Sequence, residues 1–206
     1  LDVRDAAINF GAPLSLLAAV GTFLGGYITE KLTPRSQTAV AWVPAVGLLL
    51  AVPAYIAAFF LDDLKAIFAL WGIAAVCHYA YLGAQYNIGQ GVVSNRSRAT
   101  AIAVLLILVS VIGNGIGQYF VGFMSDFFMN RQLVINDLSG QLTPALCQAW
   151  DSGLGEAQQA ICSVANSEGL KQAMSVTVCW FILAAGCFLM SARTLKRDFH
   201  AKLETR

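Results

Sequence analysis

Long runs of apolar residues alternate along this chain with short clusters of charge, and five of the runs are long enough to cross a bilayer. A hydrocarbon core of about 30 Å needs roughly 20 predominantly apolar residues in a spanning helix. Residues 10–29, 38–60, 64–88, 99–125 and 170–193 meet that length with few charges inside them. The runs are continuously apolar, whereas a membrane strand alternates in polarity over about 10 residues. The pattern therefore predicts an all-α membrane protein, a transmembrane helix bundle of five spans. Gly21, Gly25, Gly26 and Pro53 fall within spans, where neighbouring helices can satisfy the backbone groups they disturb.

Two segments remain outside the spans. Residues 128–169 form a long polar connection, and 194–206 form a charged tail. Structureless connections beyond about 12–15 residues are uncommon, so the first should hold structure of its own. Thr143 followed by Pro144 reads as a helix start. A short helix is expected over 154–165, with Ser167 as the cap that opens the last span.

Composition agrees with the pattern. The 206 residues are 57% hydrophobic and 12% charged, with a mean hydropathy of +0.64, against about 25% charge in a soluble domain. A net charge of +1 provides no basic field for nucleic acid. The 13 Lys and Arg residues are divided unevenly between the two sides. Lys31, Arg35, Arg96, Arg98, Arg193, Lys196, Arg197, Lys202 and Arg206 lie on one side; Arg4, Lys65, Arg131 and Lys171 lie on the other. Because short cytoplasmic loops retain Lys and Arg, the C-terminal tail is expected to be cytoplasmic, in a multi-pass protein of the cell inner membrane. The chain opens at Leu1, without an initiator Met or a leader, and has an odd number of spans; a processed or truncated sequence is the expectation.

Cys77, Cys179 and Cys187 fall in apolar runs, where a thiol behaves as a small hydrophobe. Cys147 and Cys162 share the polar connection on the outer side. An oxidising compartment makes a disulfide between them the candidate. Neither has a His or second Cys at zinc-ligand spacing, and no metal or other cofactor is expected.

Polar residues inside spans are costly and usually face a protein interior or a watery cavity. His78, Tyr81 and Gln85 share a helical face by spacings of three and four, and Ser110, Asn114 and Gln118 do so at intervals of four. These six are the candidate lining of a substrate cavity. The ordinary titration range of a histidine suits proton coupling, which makes His78 a candidate carrier, although an interior histidine is the commoner role. Tyr79 and Tyr86 lie on another face and suit packing. Gly113 and Gly117 are read as packing residues that let helices approach, and Asn114 and Gln118 admit that reading as well.

The run Gly26, Tyr27, Ile28, Thr29, Glu30, Lys31, Leu32, Thr33, Pro34, Arg35 resembles the loop motif of the major facilitator superfamily. There a glycine precedes an acid by four residues, with bases following; Glu30 stands for the usual Asp, and Thr33 and Pro34 depart from the pattern. Asn95 to Ala101, then Gly113 to Gln118 and Val121 to Asp126, resemble the penultimate helix of spinster-like members, and Ala192 to Asp198 resembles the C-terminal tail of bacterial ones. The resemblance implies helices eight to twelve of a twelve-helix transporter, with the N-terminal half as a missing partner. It makes the third and fourth spans helices ten and eleven, which line the central cavity in that superfamily. It also implies a cytoplasmic gate in which Gly26, Glu30, Lys31 and Arg35 form a latch and Arg96 and Arg98 its mirror.

The expected function is secondary active transport of a small amphipathic or lipid-like solute by alternating access, because neutral polar groups on apolar walls suit such a cargo better than an ion. The alternatives are an integral membrane lipid-modifying enzyme or a structural membrane subunit. An enzyme needs a convergent acid, base, nucleophile or metal cluster. His78 has no acid within a helical turn, and His200 lies alone in the tail.

Overall fold

A computed structural model describes residues 11–135, 142–148 and 155–204, the last with side chains up to residue 195. Helices α1 (Ala12–Leu32), α2 (Ala39–Phe59), α3 (Leu64–Tyr79) and α4 (Tyr81–Gly91) come first. A 3-10 turn, Asn95–Ser97, leads into α5 (Arg98–Leu108), a π-helical stretch Val109–Ile116 and α6 (Gly117–Ile135). The chain ends with α7 (Pro144–Gln148) and α8 (Glu156–Glu204). Five of the resulting rods are long and apolar enough to cross a membrane: Ala12–Leu32, Ala39–Phe59, Leu64–Gly91, Asn95–Ile135 and Glu156–Leu195. Large apolar side chains such as Leu16, Phe23, Leu183 and Met190 are exposed, as expected of a surface wetted by lipid.

Local chemistry sets several helix ends. Pro13 occupies the first turn of α1, where its missing N–H removes no helical bond. Asp63 caps α3 by accepting from the Lys65 N–H at 3.3 Å. Thr143 caps α7 by accepting from the Leu146 N–H at 3.2 Å, with Pro144 in first position. Inside the spans, Thr22 and Thr177 donate to the carbonyls of Ala18 and Ala173, satisfying hydroxyls where water is absent.

The chain divides into two compact units, Leu1–Ile107 with Val178–Arg206, and Leu108–Thr177. In the first, glycines bring backbones together. A Cβ at Gly47 would lie 2.6 Å from the Cys77 carbonyl oxygen, one at Gly21 would meet the backbone of Val76, and one at Gly25 that of Ala80. Ala51, Val52, Tyr55, Ala74 and Val178 form a core there. In the second unit Met129, Leu133, Leu142, Cys162 and Ala165 form another. The disulfide Cys147–Cys162, with Cα atoms 5.4 Å apart, borders it.

Two expectations change. The polar connection is largely helical: α6 continues to Ile135 and α8 begins at Glu156, so the short helix over 154–165 is the leading part of the last rod. Ser167 is therefore not a cap; it sits within α8 and donates to the Val164 carbonyl at 2.9 Å. For Gly113 and Gly117, read as packing residues, the second unit itself supplies no partner helix among the described residues. A Cβ at Gly113 would meet nothing within 4 Å, and one at Gly117 would meet only the Ile112 carbonyl of its own helix.

Candidate functional site

His78, near the end of α3, is surrounded by rings. Phe181 of α8 lies 4.4 Å away between centroids, Tyr79 4.8 Å, Tyr81 5.5 Å and Tyr55 of α2 6.1 Å. The Tyr55 hydroxyl is 3.5 Å from His78 Nδ1, at the limit of a hydrogen bond. His78 and Tyr81 thus meet as their spacing predicts, but their setting is an aromatic cluster. Tyr55 and Phe181 were not legible beforehand, because spacing along one helix does not reveal which helices meet.

Gln85 continues the same face into different surroundings. It lines a groove of about 360 Å³ with Ile88, Leu105, Cys187, Phe188 and Ser191. One amide on apolar walls orients an amphipathic molecule without demanding charge. Cys187 is exposed there, which gives the groove a natural thiol.

Ser110, Asn114 and Gln118 belong to the second unit. Ser110 and Asn114 lie in the π-helical stretch and Gln118 just after it. All three are exposed, and no residue of that stretch is buried. None has a side-chain hydrogen-bond partner among the described residues. π-helical segments inside α-helices are rare and are frequently found at functional sites.

Of the residues read as a gate, Gly26 packs closely, since a Cβ at Gly83 would stand 3.0 Å from its Cα. Glu30 is exposed in the last turn of α1. The Lys31 ammonium lies 5.8 Å from the Tyr27 ring centroid, within reach of a cation–π attraction. Arg35, Arg96 and Arg98 are exposed. Among the described residues none of Glu30, Arg35, Arg96 and Arg98 has an ion-pair partner. Asp126 accepts from Gln148 Nε2 at 2.7 Å. Among the described residues no group of three His, Cys, Asp or Glu side chains could hold a metal ion.

No family model matches the chain. It superposes with a TM-score of 0.83 and 49% sequence identity on the crystal structure of a bacterial homolog to the human lysosomal transporter Spinster, in an inward-facing and unoccupied conformation, over 96% of this chain and 42% of that one. The chain belongs to the spinster-like branch of the major facilitator superfamily. The occupied inward-facing form matches equally, over 43% of its length. Protein spinster of Drosophila melanogaster is 28% identical over 172 residues, 79% of this chain and 28% of that protein. An MFS-type efflux pump of Mycolicibacterium smegmatis is 23% identical over 155 residues, 71% and 36% of the two chains. This spinster-like chain therefore spans less than half the length of the relatives it matches. It is a multi-pass membrane protein by fold and by kinship.

Proposed function

We propose that this chain works as part of a secondary transporter that moves an amphipathic, lipid-like solute by alternating access, in the cell inner membrane with its C-terminus cytoplasmic. One observation carries the reading: a membrane-length helix presents Ser110, Asn114 and Gln118 exposed and without side-chain partners among the described residues. Amides facing hydrocarbon are costly, so such a face belongs against water or protein. A solute pathway meets that requirement, and the kinship with a bacterial homolog of a lysosomal transporter and with an efflux pump supports it. The Gln85 groove supplies a second surface of matching chemistry.

Alternating access needs gates. Glu30, exposed at the end of α1, would meet the positive N-terminal end of a helix in the other half of the transporter, with Arg96 and Arg98 facing an acid there. His78, enclosed by rings, is read as an interior packing residue rather than a proton carrier.

The test is solute uptake by the reconstituted complete transporter. Losing one neutral hydrogen bond costs about 0.5–1.5 kcal/mol, so Asn114→Ala or Gln118→Ala should weaken solute affinity roughly two- to tenfold, with normal yield. Cysteines at the two positions should react with water-soluble maleimides in at least one gate state. Normal affinity, together with cysteines that resist labelling in both states, would make these side chains interhelical glue.

A further inference from the structure

The hairpin of α1 and α2 leaves a second groove, separate from the one at Gln85. Its walls are Leu24, Ile28 and Leu32 of α1 and Trp42, Val46 and Leu50 of α2, and its volume is about 440 Å³. The floor is backbone. Gly21, Gly25 and Gly47 carry no side chain, so Val76, Cys77 and Ala80 of the third span form the bottom.

Three features define what fits. The α1 edge runs from Gly21 to Leu32, eleven residues at about 1.5 Å each, or roughly 16 Å; half of a hydrocarbon core of about 30 Å is the depth of one leaflet. The groove thus begins at one membrane boundary and ends near the midplane, as an acyl chain does. Trp42 is 54% exposed in the first turn of α2, in the interfacial position that indole rings favour. At the same end lie Lys31 and Arg35, while no acid lines the groove. Glu30 stands nine residues after Gly21, about half a turn away around α1, on the opposite face. The hydroxyls nearby are engaged: Ser36 and Thr38 bond each other at 2.7 Å, and Thr33 donates to the Thr29 carbonyl at 2.6 Å.

We propose that this groove is a binding site for one phospholipid, an acyl chain lying along α1 between Gly21 and Leu32 and an anionic headgroup held by Lys31 and Arg35. The site is distinct from the solute pathway, and its test reads binding instead of transport. Juxtamembrane basic side chains attract anionic lipid by roughly fivefold each at the surface.

The complete transporter, with Trp42 as its only tryptophan, would be reconstituted in vesicles of phosphatidylcholine containing a small equal fraction of either brominated phosphatidylglycerol or brominated phosphatidylcholine. Bromines on the acyl chain quench a tryptophan they touch. Phosphatidylglycerol should quench Trp42 at a several-fold lower mole fraction, Lys31→Gln with Arg35→Gln should erase that preference, and Val46→Phe should reduce quenching by both lipids. Native mass spectrometry of the unmodified protein should retain one phosphatidylglycerol, lost in the double substitution. Equal quenching by the two lipids would reduce the groove to ordinary annular surface. No quenching by either would show it covered by another helix or a second copy, and either result overturns the proposal.

Discussion

Gln148 in α7 donates to the Asp126 carboxylate in α6 at 2.7 Å, one residue after the cysteine that joins α7 to α8. A five-residue helix cannot hold itself together in water. This one is fixed from two sides, and Leu142 just ahead of it is 1% exposed against Met129 and Leu133. Cys162→Ser should lower the stability of this unit by about 3 kcal/mol, and Gln148→Ala, whose bond is exposed, by about 1 kcal/mol. Thermal unfolding in detergent, with and without reductant, measures both; an unchanged midpoint for Cys162→Ser would remove the disulfide as a structural tie.

Backbone contact at Gly47 leaves no room for a methyl group. Gly47→Ala should cost about 1–3 kcal/mol by overpacking, seen as reduced yield and melting temperature. Gly113→Ala, where a Cβ meets open space, should cost nothing and can gain up to about 1 kcal/mol of helix propensity. Equal losses at the two sites would mean that Gly113 is packed against a partner.

The exposed Cys187 in the Gln85 groove offers a direct occupancy reading. With Cys77 and Cys179 replaced by serine, maleimide labelling of Cys187 should slow when a transported solute saturates the protein, and Gln85→Ala should raise the concentration needed about two- to tenfold. Labelling indifferent to every transported solute would separate the groove from the pathway.

Replacing Glu30 by Gln removes the charge that would favour a facing helix N-terminus, an interaction of about 0.3–1 kcal/mol when exposed. The complete transporter should shift towards inward-open states, up to fivefold in the ratio of the two populations. Double electron–electron resonance across the cytoplasmic gate reads that ratio; identical distance distributions would leave Glu30 an interfacial charge.

Orientation is open to a simple check. A cysteine at Thr205 should react with an impermeant reagent only from the cytoplasmic side, and one at Gln141 only from outside. The opposite pattern would invert every loop.

The spans were legible because a bilayer demands unbroken apolar length, and that demand is written residue by residue. Their ends were less so. The helix expected over 154–165 was legible, but its continuity into the last span was hidden by Glu168 and Lys171, which suggest a break and instead form an ion pair at 2.8 Å on the helix itself. The buried stripe of Cys162, Ala165, Gly169 and Ala173 recurs at spacings of three and four, the period of an amphipathic helix. Periodicity shows this helix where mean hydropathy does not. The setting of His78 lay beyond reach for a different reason: Tyr55 and Phe181 are 23 residues before it and more than 100 after it, and no local pattern pairs them. The π-helical stretch had no signal either, since its glycines and amides equally suit an ordinary helix.

The contacts of Gly21 with Val76 and of Gly47 with Cys77 have a mechanical side. Where side chains separate two helices, a change of rotamer can absorb a slide of an ångström or so, which is how sheared interfaces move. Glycine against backbone has no such cushion, and its seam is stiff. These seams favour α1, α2 and α3 holding together as one plate, with any slide taken up where longer side chains line the contact.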